Sequence, residues 1–195
     1  MGKIFHIMGK SSTGKDTVYK KLLEREAGRF RTIVMYTTRP RRDGERNGVE
    51  YFFVDENRLR EFEAEKRLIE LRSYHTVQGV WHYFTVRDEQ IDPQRYDYLV
   101  IGTLESYNGM RRYFGKESLV PILIELDDGV RLQRALDREK LQKHPRYQEL
   151  CRRFLADEAD FSERKLEEAE IGKRFRNDDL ERCLSEIREY MEKWR

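Results

Sequence analysis

Cysteine and proline are scarce in this chain of 195 residues, with two of the first and four of the second. Cys151 and Cys183 lie far apart without metal-type spacing, which argues against a zinc module or a disulfide framework and suits two reduced thiols at small helix positions. So few prolines leave no Pro-rich linker, and no repeat or low-complexity stretch divides the chain, so a single α/β domain is expected. No apolar run approaches the roughly 20 residues of a membrane span. The first strand starts almost at Met1, which leaves no room for a cleaved signal, and Gly2 lacks the Ser or Thr of a myristoylation motif because His6 stands there. A cytoplasmic protein without a membrane partner is therefore expected.

An excess of one charge is also missing. The 39 Lys and Arg nearly balance the 37 Asp and Glu, so a net charge of +2 argues against a general nucleic-acid coating role, and no nucleic-acid partner is expected. Charged residues make up 39% of the chain, but the 38% hydrophobic share, with its aromatics, excludes disorder as a whole.

What is present begins at residue 4. The apolar run Ile4-Phe5-His6-Ile7-Met8 leads into Gly9-Lys10-Ser11-Ser12-Thr13-Gly14-Lys15-Asp16-Thr17, and then into Val18, Leu22 and Leu23 at helical spacing. Strand, glycine loop and helix in that order, with G-x-x-x-x-G-K, match the P-loop pattern except that Asp16 replaces the Ser or Thr after the lysine. Gly9 and Gly14 let the backbone turn so that successive N–H groups face one anion, the helix start adds its positive dipole end, and Lys15 supplies a mobile charge. Residues 9–17 are therefore read as the cradle of a nucleoside triphosphate.

Further along, residues 31–37 are β-rich and predict a second strand, and residues 37–48, with Pro40, Gly44 and Gly48, predict a loop. Residues 49–54 follow as an aromatic, β-rich run, then a helix over about 56–66 with Asp55 as N-cap. Short strands at 68–71 and 81–86 around a turn at Gln78-Gly79 suit a small mixed sheet. Residues 98–102 and 119–126 read as buried parallel strands joined by a helix over about 106–114. From Asp128 to about Glu170 the chain is helical and arginine-rich, broken at His144-Pro145. A last short strand lies within 171–177 and a final helix starts at Asp178-Asp179, with Leu180, Leu184, Ile187 and Met191 on one face.

The segment Thr37-Thr38-Arg39-Pro40-Arg41-Arg42-Asp43-Gly44-Glu45, followed by Gly48 and Tyr51-Phe52-Phe53-Val54, resembles the monophosphate-binding signature of guanylate kinases. Glu70, Tyr83-Phe84-Thr85, Arg134, Arg138, Arg153 and the run from Asn177 to Glu181 extend the resemblance over the whole chain. It implies an α/β fold, a P-loop three-layer core with a parallel sheet, an inserted small mixed-β monophosphate-binding lobe and a helical lid. The matching boundaries are 1–36, 96–127 and 171–195 for the core, 37–95 for the lobe and 128–170 for the lid.

The resemblance also assigns roles. Thr37, Arg39, Arg42 and Tyr51 fall in the acceptor-phosphate clamp, and two guanidinium groups with a phenol hydroxyl suit a dianion. Glu70 and Thr85 match the guanine readers, with Tyr83 beside the nucleotide; a carboxylate suits the N1–H and amino donors of guanine. Arg138 and Arg153 match lid residues acting on the moving phosphoryl group, with Arg131, Arg134 and Arg152 competing for the same task. Asn177 matches a position near the donor adenine, or caps a helix.

The implied activity is transfer of the γ-phosphoryl of ATP, with Mg²⁺, to a nucleoside monophosphate, foremost GMP, with ATP and GMP as small-molecule partners. Three departures stand against the family pattern: Asp16, the absence of acidic residues in the strand before Thr103, and Phe84 with extra residues ahead of it. Asp16 either supplies the missing metal carboxylate, helped by Thr17 or Glu105, or simply favours the helix N-terminus. The competing readings are a kinase for another small phosphorylated acceptor and a binding module for phosphorylated partners.

Overall fold

The computed structural model describes residues 2–76 and 79–194, folded around two sheets. The first is a five-stranded parallel sheet in the order β2-β7-β1-β8-β9, with β1 (Ile4–Met8) at its centre, β7 (Asp97–Ile101) and β8 (Leu119–Glu125) on either side, and β2 (Phe30–Arg31) and β9 (Arg174–Arg176) at the edges. β1 is buried along its whole length because both faces are covered. Phe5 and Ile7 pack with Val18 and Leu22 of helix α1 (Lys15–Arg25) and with Leu184, Ile187 and Met191 of α7 (Leu180–Glu192). Ile4 and Met8 face the other way, into Leu104, Tyr107 and Met110 of α3 (Leu104–Phe114) and Leu166 of α6 (Glu163–Glu168). The three layers expected from the sequence are present.

The second sheet is mixed, in the order β4-β3-β6-β5: β3 (Tyr36–Thr37), β4 (Phe52–Phe53), β5 (Leu68–Thr76) and β6 (Gly79–Val86). Beneath it, helix α2 (Glu56–Ala64) buries Leu59 and Phe62 against Phe84 and Val86, and Asp55 caps it by accepting the Arg58 N–H. The expected strand over 31–37 is a correction. Its ends belong to different sheets, because the crossing residues bond elsewhere: the Val34 N–H donates to Gln90 Oε1 and the Met35 carbonyl accepts from Phe52. Of residues 49–54 only Phe52–Phe53 form a strand, since Asn47 Oδ1 and Glu50 fold residues 46–53 into turns. Of the turn expected at Gln78-Gly79, Gln78 lies outside the described residues.

The arginine-rich stretch forms α4 (Asp128–Lys140), α5 (Tyr147–Asp160) and α6, with the expected break around His144-Pro145. Asp179 caps α7 through the Arg182 N–H. Both cysteines lie in helices, Cys183 buried with its thiol pushed up to about 12 by burial, and Cys151 exposed.

Candidate active site

The chain from Gly9 to Gly14 leaves the carboxyl end of the central strand and bends into α1. At Gly9 an added Cβ would lie 2.4 Å from the Ile124 carbonyl oxygen, so only glycine lets the loop pass this close to β8. Gly14 holds φ +85 directly before α1, whose N-terminus no side chain among the described residues caps. The first-turn N–H groups thus stay open to an anion, beside the Lys15 ammonium. Thr13 turns inward, its hydroxyl donating to the Lys10 carbonyl at 3.0 Å. Asn177 is buried under the loop and donates to the Thr13 carbonyl at 2.7 Å. It supports the cradle and is not the cap of α7.

Helices α4 and α5 close over this loop. Arg131 is almost wholly buried and reaches the Ser11 carbonyl at 3.0 Å, Asp157 and Glu158 at 3.2 Å, and Asp128 in its own helix. The Ser11 N–H donates to Asp157 at 2.7 Å, Lys10 bonds Glu158 at 2.6 Å, and Arg138 reaches the Ser12 hydroxyl at 3.3 Å. Arg153 is exposed and held by Glu149, whose carboxyl the two arginines Arg152 and Arg153 keep down at about 2.

A cavity of about 630 Å³ opens between these helices, the loop and the mixed-sheet lobe. Ser11, Ser12, Arg39, Arg42, Arg138 and Arg153 all line it. Residues separated by more than a hundred positions therefore share one cationic space, of a size that suits small ligands. Arg41, Lys143 and Arg146 line it too and were not singled out from the sequence; their only signal was the excess of basic residues in the two segments.

Within the lobe, Arg39 is buried and its guanidinium forks onto Glu45 at 2.7 and 2.9 Å, while its Nε is buried and meets no partner among the described residues. Burial works against the charge, but the Glu45 bond keeps its pKa above the ordinary value. Arg42 donates its backbone N–H to the same carboxylate at 2.8 Å, leaving its side chain at the cavity. The rings of Tyr51 and Phe53 stand 5.5 and 5.4 Å from the Arg39 guanidinium, and Tyr83 packs edge-on to Tyr51. Thr37 is fully buried and shapes the loop, donating its hydroxyl to the His82 carbonyl and accepting the Arg39 N–H.

Glu70 and Thr85 depart from the expected pattern. The Thr85 hydroxyl donates to Glu70 Oε1 at 2.8 Å, and Arg72 donates Nε to Oε2 at 2.8 Å and Nη2 to Oε1 at 3.2 Å. The Glu70 side chain is only 2% exposed, so the two residues expected to read a base are bonded to each other and to an arginine. Tyr83 is not part of that network.

Asp16 lies in the first turn of α1 with its carboxylate exposed, 3.3 Å from Lys15 Nζ, and Thr17 beside it is exposed too. One accessible carboxylate next to a phosphate cradle fits a Mg²⁺ ion carried mainly by phosphate oxygens and water. Glu105 lies in the first turn of α3, beyond the end of β7. Among the described residues no group of three or more His, Cys, Asp or Glu is arranged to hold a metal ion, and no helix is long and apolar enough to cross a membrane.

The family model described as guanylate kinase matches residues 1–97. The guanylate kinase of Neisseria gonorrhoeae is 42% identical over 69 residues, 35% of this chain and 33% of that protein. The one from Chlorobaculum tepidum is 29% identical over 175 residues, 87% of this chain and 77% of its own. The match thus spans about a third of the length of the Neisseria relative, and most of the Chlorobaculum one. The solved guanylate kinase of Anaplasma phagocytophilum superposes with a TM-score of 0.68 at 19% identity, covering 98% of this chain and 85% of that one, and so shares the fold.

Proposed function

We propose that this chain, which belongs to the guanylate kinase family, is an enzyme that transfers the γ-phosphoryl group of ATP to a nucleoside monophosphate, with GMP the acceptor to which the family resemblance points. The observation that carries this reading is the shared cavity, where Ser11 and Ser12 of the glycine loop face Arg39 and Arg42 of the lobe and Arg138 and Arg153 of the helices. A donor held at residues 9–17 and an acceptor phosphate held by Arg39, Arg42 and Tyr51 would meet there.

Phosphoryl transfer depends mainly on positioning and on stabilising charge that spreads over the moving group. The open N–H groups of α1 and the Lys15 ammonium would hold the donor's outer phosphates. The acceptor's phosphate oxygen is anionic at neutral pH and attacks directly, so no side chain need take a proton. Arg138 and Arg153 would meet the charge on the transferring group, with residues 128–170 acting as a lid that excludes water, residues 37–95 as the acceptor lobe and the rest as the core. Mg²⁺ bound at Asp16 and Thr17 would supply charge neutralisation between the phosphates.

A coupled assay of ADP release with ATP, Mg²⁺ and GMP, dGMP, AMP or UMP tests the reading. Acceptor-dependent ADP release supports it. Binding of phosphates without turnover of any of them would overturn it in favour of a binding module in the cytoplasm.

A further inference from the structure

Arg72 is the buried charge that the phosphoryl-transfer scheme leaves without a task. It stands on β5, 5% exposed, and three of its contacts run to different parts of the fold: Glu70 in its own strand, Thr103 at 3.3 Å ahead of α3, and the Met35 sulfur at 3.3 Å between the sheets. Burial opposes its charge, and the Glu70 carboxylate more than offsets this, so its pKa lies above the ordinary value.

The geometry of the pair decides what Glu70 can still do. A guanine edge offers two adjacent N–H donors, and a carboxylate reads them with both oxygens at once. Here Oε2 takes Arg72 Nε and Oε1 takes both Arg72 Nη2 and the Thr85 hydroxyl. The fork of an arginine fills the same bidentate face that a guanine would use. Behind the pair, Glu70 is clamped against α3, where its Cβ lies 2.4 Å from the position of a Cβ on Gly109. Three of the carboxylate's acceptor sites are therefore taken, and both oxygens are engaged on the side that faces Arg72.

Beside Arg72 stand tyrosine hydroxyls, which can donate to a ligand as Glu70 cannot. The hydroxyls of Tyr51 and Tyr74 are kept protonated by burial, with Arg72 pulling the other way, and Tyr83 packs edge-on between their rings at 5.6 Å from each. We propose that Arg72 sets acceptor specificity: by holding Glu70 it withdraws the carboxylate from base reading and leaves the tyrosine hydroxyls as the groups a base would meet. The lobe then takes phosphorylated acceptors bearing carbonyl, ring-nitrogen or phosphate acceptor atoms at least as well as guanine. This rests on the acceptor-phosphate reading of the lobe.

The test is binding, measured by calorimetry without ATP, of GMP, AMP and UMP to the whole protein and to Arg72→Ala. In the unaltered protein the three affinities should agree to within about threefold, because no buried acceptor selects guanine. Arg72→Ala frees the carboxylate and should shift the preference toward GMP over AMP by about tenfold. A double variant, Glu70→Leu with Arg72→Met, exchanges the pair for apolar groups of similar size; it should fold and keep the even affinities. A GMP preference of tenfold or more in the unaltered protein would overturn the proposal. So would a folded Arg72→Ala variant with unchanged ratios, or a failure of all three ligands to bind. Should the affinities run as stated while no acceptor supports ADP release, the kinase reading falls and this one stands.

Discussion

The Asp157 carboxylate of α5 accepts the Ser11 N–H of the glycine loop at 2.7 Å and an Arg131 N–H at 3.2 Å. Arg131 in turn reaches the Ser11 carbonyl, so both backbone groups of one loop residue are bonded by side chains of the two covering helices. Residues 128–160 and the loop are thereby held as one unit on the side of Ser11.

Arg131→Ala should therefore unfold more easily than the unaltered protein. Its side chain is 1% exposed, and its loss leaves the Ser11 carbonyl without that partner and the mostly buried Asp157 with the Ser11 N–H alone, whereas Glu158 and Asp128 are exposed enough to find water. Breaking a fully buried pair costs about 3–5 kcal/mol, and the exposure of the other carboxylates puts this one near 3 kcal/mol. Urea denaturation followed by circular dichroism measures it. A loss below about 0.5 kcal/mol, the usual surface value, would mean that Arg131 is not a structural tie.

His6 sits in the middle of β1, fully buried, with Nε2 3.1 Å from the Ser106 hydroxyl and its ring 5.7 Å from that of Tyr107. Burial first, and the charge of Arg72 second, lower its pKa from 6.5 to about 3. The folded protein therefore keeps His6 neutral while the unfolded chain protonates it below about 6.5, so the unfolded state binds the extra proton and stability falls as pH drops from that value toward 3. The slope from this group is at most about 1.4 kcal/mol per pH unit. Unfolding curves between pH 4 and 8 should show the unaltered protein losing stability more steeply below about pH 6.5 than His6→Phe, and the two running parallel above it. Curves parallel over the whole range would show that His6 does not contribute.

How far the sequence reveals this arrangement depends on whether a residue's role lies in its own neighbourhood. Gly9, Gly14 and Lys15 are legible because the loop's chemistry is built from adjacent backbone and one side chain. The three layers are legible from the apolar strands and from Leu184, Ile187 and Met191. The strand over 31–37 misleads because a β-rich run carries no sign of which sheet its ends will join, and here Gln90 and Phe52 decide it. Glu70 is found by its place in a motif, yet its bonding depends on Arg72, two residues away on the same face of β5, and on Thr85 across the ladder. The alternation of a strand places those three together only once the register of β5 and β6 is known.

Asp16 stands where the loop pattern wants a hydroxyl, and its carboxylate is exposed beside Lys15. If it contributes to Mg²⁺ binding, Asp16→Ser should raise the Mg²⁺ concentration needed for half-maximal ADP release by about tenfold while leaving thermal stability nearly unchanged, since an exposed first-turn carboxylate favours a helix by only about 0.3–1 kcal/mol. An unchanged metal dependence would leave Asp16 a helix-terminal charge and nothing more.

Gly14 links the cradle to its support. Its φ of +85 is one that side chains adopt with strain, and an added Cβ would lie 2.4 Å from the Asn177 amide nitrogen that donates to the Thr13 carbonyl. Gly14→Ala should thus weaken ATP binding by more than about tenfold by displacing the loop, with backbone strain of about 1 kcal/mol added to the folded state. Asn177→Ala removes the obstructing amide but also the support, so alone it should weaken ATP binding less. In the double variant the clash is absent and only the strain and the lost hydrogen bond remain, so its loss of affinity should be smaller than the sum of the single losses. Calorimetric ATP titration of all four proteins closes the cycle. Strict additivity would show that Asn177 and Gly14 do not meet, and that the loop is held from elsewhere.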